Sequence, residues 1–146
     1  MSFDQVGKQF VEHYYNTFDT NRANLGALYQ GQSMLTYEGE QFLGAQAIMD
    51  KLFALPSVRH NILTFDAQPS FSNGILCFVS GDLIIDGNVS QPMKFSQCFH
   101  LAVGGNLGYY CHNDMFRLNY GWALWQKRSS AKIIKREYNC NETEII

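Results

Sequence analysis

An α+β fold, with three helices in the N-terminal half packed on one face of a curved antiparallel sheet, is what this sequence predicts. Three observations lead there. Helical spacing of apolar residues is confined to the first 55 positions, most clearly at Phe3, Val6, Phe10, Val11, Tyr14 and Phe18. Beyond them come four extended runs, at 58–67, 75–86, 93–103 and 107–118, separated by the turn-forming stretches "QPSFSNG", "DGNVSQP" and "GGN". Helices followed by strands joined through short turns favour segregated layers over alternating strand–helix units.

Each element has its own signal. Ser2 followed by Gln5 forms the S-x-x-Q pattern of a capping box, which starts the first helix. Asp19-Thr20-Asn21 ends it, and "RANLGALY" reads as a short second helix. "SMLTYEGEQFLG" reads as a strand pair turning near Gly39, because glycine inside a strand weakens it and glutamate is a poor strand former. "AQAIMDKLFAL" places Ile48, Met49, Leu52 and Phe53 on one side of a third helix, stopped by Pro56. "FSQCFHLAV", Gly104-Gly105-Asn106 and "LGYYCHNDMF" give the clearest hairpin. A long helix across such a sheet leaves room for a pocket between the layers.

Bulk properties bound the function. The 146 residues suit one domain with one core, and 46% hydrophobic with 14% aromatic content can fill it. No apolar run reaches the ~20 residues of a membrane span, and "MSFDQVGKQF" lacks the pattern of a secretory signal. Cys77, Cys98, Cys111 and Cys140 show neither C-x-x-C pairing nor zinc spacing, so reduced thiols and no metal are expected. Without secretion, the glycosylation patterns at Asn88 and Asn141 carry no weight. Through Gly121 the chain holds 6 basic against 10 acidic residues, a net of −4, whereas the last 25 residues hold 5 against 3. An acidic body is a poor nucleic-acid binder and suits a basic protein partner.

Glu38 is the pointed question. In isolation it could be a catalytic acid or base, a solvated strand edge, or a charge held out for another protein. Asp86 before Gly87 is by itself a turn residue, and His60 could be a satisfied structural histidine. Phe3 could be only the first core residue of its helix. Tyr109 and Tyr110 should alternate faces, so one of them should point outward.

With "FVEHYYNTFDTNRANLGALY", "LTYEGEQFLG", "ALP" and "NDMFRLNYG" in order, the chain resembles the nuclear transport factor 2 family from about residue 3 to Gly121. The resemblance implies a cone-shaped α+β fold of nuclear transport factor 2-like or cystatin-like form. It also implies a homodimer through the sheet and a hydrophobic cavity into which GDP-bound Ran inserts an aromatic side chain. On that likeness Tyr37, Glu38, His60, Phe78, Asp86, Met115 and Phe116 are the Ran-binding residues. Phe3 and Tyr109 would bind the Phe-x-Phe-Gly repeats of pore proteins. Asn88 stands where a third rim acid is usual. The Glu38 charge is expected to point away from the core. The likeness implies no catalytic residue and no cofactor, and a location in cytoplasm and nucleus with enrichment at the nuclear pore.

Two further readings accompany that one. The same fold hosts isomerases and dehydratases that use a tyrosine donor and a carboxylate in an apolar pocket, for which Tyr14, Tyr15, Asp114 and His60 are the available set. A dimerisation module inside a larger assembly would keep the sheet and lose the acidic rim. Residues 1–121 form the expected domain. Residues 122–146, with Trp122, Trp125 and five basic residues between Lys127 and Arg136, form a basic extension that reads as a poorly packed tail in preference to a basic amphipathic helix.

Overall fold

The computed structural model describes residues 1–119. The proposed extension at 122–146 lies outside them. Helix α1 spans Phe3–Thr20 and begins in the expected capping box: Ser2 accepts from the Gln5 N–H and the Gln5 side chain accepts from the Ser2 N–H. The predicted second helix is a 3-10 helix, Arg22–Leu28, and α2 spans Ala45–Phe53. The strands are β1 Tyr29–Tyr37, β2 Glu40–Leu43, β3 Val58–Pro69, β4 Ile75–Ile85, β5 Met93–Val103 and β6 Tyr109–Leu118.

They form one six-stranded sheet in the order β2-β1-β6-β5-β4-β3. The sequence reading made the sheet antiparallel, and here it needs a refinement. The chain goes from β1 to β6 through α2 and four other strands, and the two lie side by side running parallel. All the other pairs are antiparallel. The α+β class, with helices segregated to one face, stands.

Strand alternation divides the sheet into two faces. Leu35, Val79, Phe95, Phe99 and Leu101 are fully buried beneath the helices. Phe10, Val11, Tyr14, Tyr15 and Phe18 of α1 pack onto them from above, with Ile48, Met49 and Leu52 of α2. Each large side chain moved from water to such a core contributes about 1.5–3 kcal/mol. Among the described residues Cys77, Cys98 and Cys111 are free thiols, and burial pushes the Cys77 thiol up to about 12.

Register between β3 and β4 slips by one residue between Ile62 and Thr64, so Leu63 bulges out. Opposite the bulge the two backbones approach so closely that a Cβ on Gly81 would sit 2.1 Å from the Asn61 carbonyl oxygen. No side chain can be accommodated without separating the strands. Gly81→Ala should therefore cost on the order of 3 kcal/mol, read as a lowered urea midpoint. A midpoint equal to that of the parent chain would show that the bulge relaxes freely.

Candidate functional site

Tyr37 and Glu40 face each other across the β1–β2 hairpin, which leaves Glu38 and Gly39 as a two-residue loop. Their φ angles, +52° and +89°, are both left-handed, as a type I′ turn requires. The glutamate is thus a turn residue with a constrained backbone. It is also only 8% exposed. Its N–H donates to the Phe116 carbonyl at 3.0 Å, and its Oε1 accepts from the Leu118 N–H. Pairing of β1 with β6 stops at Tyr37 and Phe116, and the carboxylate takes over where β1 has ended. The expectation of a charge pointing away from the core is therefore corrected: Glu38 caps the end of β6 as well as lying beside the pocket.

That pocket opens between the sheet and the ends of both helices. Its aromatic wall is Tyr37 stacked on Phe116 (4.5 Å between centroids, 3° between planes), with Phe95 stacked on Phe116 behind the wall (5.6 Å, 16°). Phe18, Leu52, Leu55, Val58 and Leu83 close the other sides. The enclosed part is about 10 Å³, room for roughly one water. His60 is on the wall, with Asp19 accepting from its backbone N–H at 2.8 Å and lying 2.7 Å from Nδ1. Its ring packs on Tyr15 and Phe18 at 4.6 and 4.9 Å. Lys51 lies over the Tyr37 ring at 5.5 Å and pairs with Glu40 at 3.9 Å. Asp86 is exposed in a turn at the same end, with φ +50° and its N–H on the Ser57 carbonyl at 2.8 Å.

The structure divides the residues assigned from the resemblance. Tyr37, His60 and Phe116 line the pocket, and Glu38 and Asp86 are bonded to backbone next to its wall. Phe78 and Met115 do not join them. They sit one position from the inward-facing Val79 and Phe116, so the two-residue period turns them to the opposite face, 49% and 52% exposed. There they flank Cys98 in adjacent strands. Phe3 is 38% exposed at the start of α1. Tyr109 is half-buried, its hydroxyl donating to the Asn73 carbonyl at 3.3 Å, while Tyr110 is buried. Of the two, Tyr109 is the more open.

Behind the pocket wall is a polar cluster. Asp114 is 1% exposed. Its Oδ2 accepts from Tyr29 at 2.7 Å and from Tyr14 at 3.3 Å, and its Oδ1 accepts from the Gln97 amide at 2.7 Å. Gln97 Oε1 accepts from Tyr15 at 2.8 Å, and the Tyr14 and Tyr29 hydroxyls are 2.8 Å apart. Tyr14, Tyr15 and Asp114 of the isomerase-type set are thus together, whereas His60 pairs with Asp19 instead. Asp114 is not on the pocket wall; Tyr14 and Gln97 are. Gln97 escaped the sequence reading, although a glutamine at an inward position between Phe95 and Phe99 was a visible signal. Among the described residues no His, Cys, Asp or Glu cluster could hold a metal.

Burial raises the Asp114 carboxyl to about 6 from its ordinary 3.8, against the opposing pull of its three donors. Burial likewise pushes the Tyr14, Tyr15 and Tyr29 hydroxyls well above 10, so they remain donors. Because the folded state holds the Asp114 proton more tightly than the unfolded chain, this group's contribution is fully present below about pH 3.8 and is lost as pH rises through about 6. Stability of the parent chain relative to Asp114→Asn should therefore fall between pH 4 and pH 6, by on the order of 2 kcal/mol in all. Urea unfolding of both proteins at several pH values checks this, and parallel curves would show that Asp114 does not titrate in that window.

Residues 6–118 match the model of the Nuclear transport factor 2 (NTF2) domain. Nuclear transport factor 2 of Oryza sativa subsp. japonica is 58% identical over 125 residues, which are 83% of this chain and 100% of that protein. Nuclear transport factor 2 of Saccharomyces cerevisiae is 49% identical over 123 residues, 82% of this chain and 97% of its own. The solved structure of nuclear transport factor 2 from Cryptosporidium parvum superposes with a TM-score of 0.75 at 53% identity, covering 80% of this chain and 94% of that one. Relatives of this similarity, matched over nearly their whole length and named for nuclear transport, settle the classification: the chain belongs to the nuclear transport factor 2 family.

Proposed function

We propose that this protein is a nuclear transport carrier that binds GDP-bound Ran at the pocket beside Glu38 and Asp86, and docks Phe-x-Phe-Gly repeats of pore proteins elsewhere, near Phe3 and Tyr109. The observation that carries the reading is the pairing of an aromatic-walled pocket with two carboxylates, each fixed by a backbone hydrogen bond to a residue on or next to its wall. The enclosed part holds only about one water, so an aromatic side chain entering between Phe116 and Leu55 has to part these walls; its ring would then be buried, and basic residues flanking it would meet the two acids. The acidic balance of the first 121 residues favours the same class of partner. Passage through pores places the protein in both cytoplasm and nucleus, concentrated at the nuclear envelope.

The dimer belongs to the same proposal. Phe78, Cys98 and Met115 form an apolar row on the sheet face away from the helices, with Leu63, Met34 and Leu76 also exposed. A second copy would cover this face by a twofold axis. Phe78 and Met115 then serve the dimer rather than the Ran pocket.

Two measurements test this. Titration with Ran loaded with GDP or GTP should show binding only of the GDP form. Glu38→Gln keeps an oxygen for the Leu118 N–H while losing the charge, and should weaken that binding roughly thirtyfold, about 2 kcal/mol. Asp86→Asn, in an exposed turn, should do less. Undiminished binding by a folded Glu38→Gln protein would remove the rim carboxylate from the reading. Sedimentation at micromolar concentration should give twice the chain mass for the parent protein and a monomer for Phe78→Glu; a parent monomer would refute the dimer.

A further inference from the structure

Resting on the reading above, we propose that Arg22 is a positioning residue for the pocket: it sets the wall formed by Leu52 and Leu55 and, through Ser57, the place of the Asp86 carboxylate. Its guanidinium is bound by three carbonyls in one short stretch. Nη1 donates to the Leu52 and Leu55 oxygens at 3.0 and 2.7 Å, and Nη2 to the Pro56 oxygen at 2.7 Å. Cζ lies 4.8 Å over the Phe18 ring. Among the described residues no acidic side chain forms an ion pair with Arg22. Its charge is met by carbonyl oxygens at the C-terminal end of α2, where a helix leaves acceptors unpaired and favours a cation.

Three things follow from that geometry. Leu52, Leu55 and Val58 line the pocket, and the chain between them is tied by this side chain together with the Ala54 and Leu55 N–H groups on the Lys51 and Leu52 carbonyls. The next carbonyl along, that of Ser57, accepts the Asp86 N–H at 2.8 Å. Asp86 has a left-handed φ of +50°, so its turn needs external support to keep its place. Displacement of the 52–57 stretch would therefore move a wall and a rim charge together, while Glu38, anchored on β6 across the pocket, would stay. The requirement for arginine is chemical: a planar fork reaches three carbonyls at fixed angles, and an ammonium does not reproduce that arrangement.

The test uses the full chain with Arg22→Lys and Arg22→Met, each checked for fold by circular dichroism; the lysine variant keeps the charge and serves if the methionine variant does not fold. In amide hydrogen exchange, the Asp86 N–H should exchange about tenfold faster in Arg22→Lys, and the Glu38 N–H should be unchanged. Titration with GDP-loaded Ran should show about fivefold weaker binding. Combined with Asp86→Asn, the loss should be smaller than the product of the two single losses; combined with Glu38→Gln, it should multiply. Equal acceleration at both amides, or none at Asp86, would overturn the proposal, as would losses that multiply with both partners. If the parent protein does not bind Ran, the functional reading fails while the exchange result still decides the positioning of Asp86.

Discussion

A carboxylate with no cation paired to it among the described residues holds the two layers of this molecule in register. Asp114 is enclosed on β6, and its oxygens accept from Tyr29 where β1 begins, from Tyr14 of α1 and from Gln97 of β5. Gln97 extends the network to Tyr15. A buried acid left unsatisfied costs several kcal/mol, so each donor must be delivered to one point. That demand fixes the rotation of α1 about its axis and its height along the sheet. With α1 so placed, Phe18 and Leu52 stand where they can close a pocket against the Tyr37–Phe116 stack.

Two tight turns then decide where charge appears at that pocket. At Glu38 and Gly39, left-handed backbone brings the glutamate back over the end of β6, so one carboxylate both ends a strand and borders a cavity. At Asp86 the acid stays exposed, and its position follows from the end of β4, where Ile85 pairs with Val58, and from its backbone hydrogen bond to Ser57. The two acids differ in kind. One is locked by its own side chain and the other by its surroundings, although their sequence contexts, an acid before glycine, look alike.

Alternation along the strands assigns the remaining apolar residues. Adjacent positions such as Phe78 and Val79, or Met115 and Phe116, face opposite ways. One sheet can therefore build a pocket beneath the helices and present an apolar surface on its other side, and the two surfaces cannot share side chains. Phe78 and Met115, assigned to the pocket on the family likeness, fall on the other face because of this period.

Periodicity, capping and turn chemistry were enough to read the fold. The Ser2 box, the helical spacing of α1, the stop at Pro56 and the Gly104-Gly105-Asn106 hairpin are local effects, and short-range physics determines them wherever they occur. The ordered motifs also sufficed to indicate the family, and with it Tyr37, Glu38, His60 and Phe116 at one site. The parallel contact of β1 with β6, the carbonyl cluster around Arg22 and the partners of Asp114 were not legible, because each joins residues distant in the chain. Gln97 and Asp114 show in sequence only as polar residues at inward strand positions; which donors reach them depends on how α1 lies across the sheet. The burial of Glu38 was decided in the same way, since its carboxylate meets Leu118, 80 positions further along, only once the intervening chain has brought β6 alongside β1. Local interactions set the elements, and the demand that buried polar groups be satisfied, which only the assembled layers can meet, set the site.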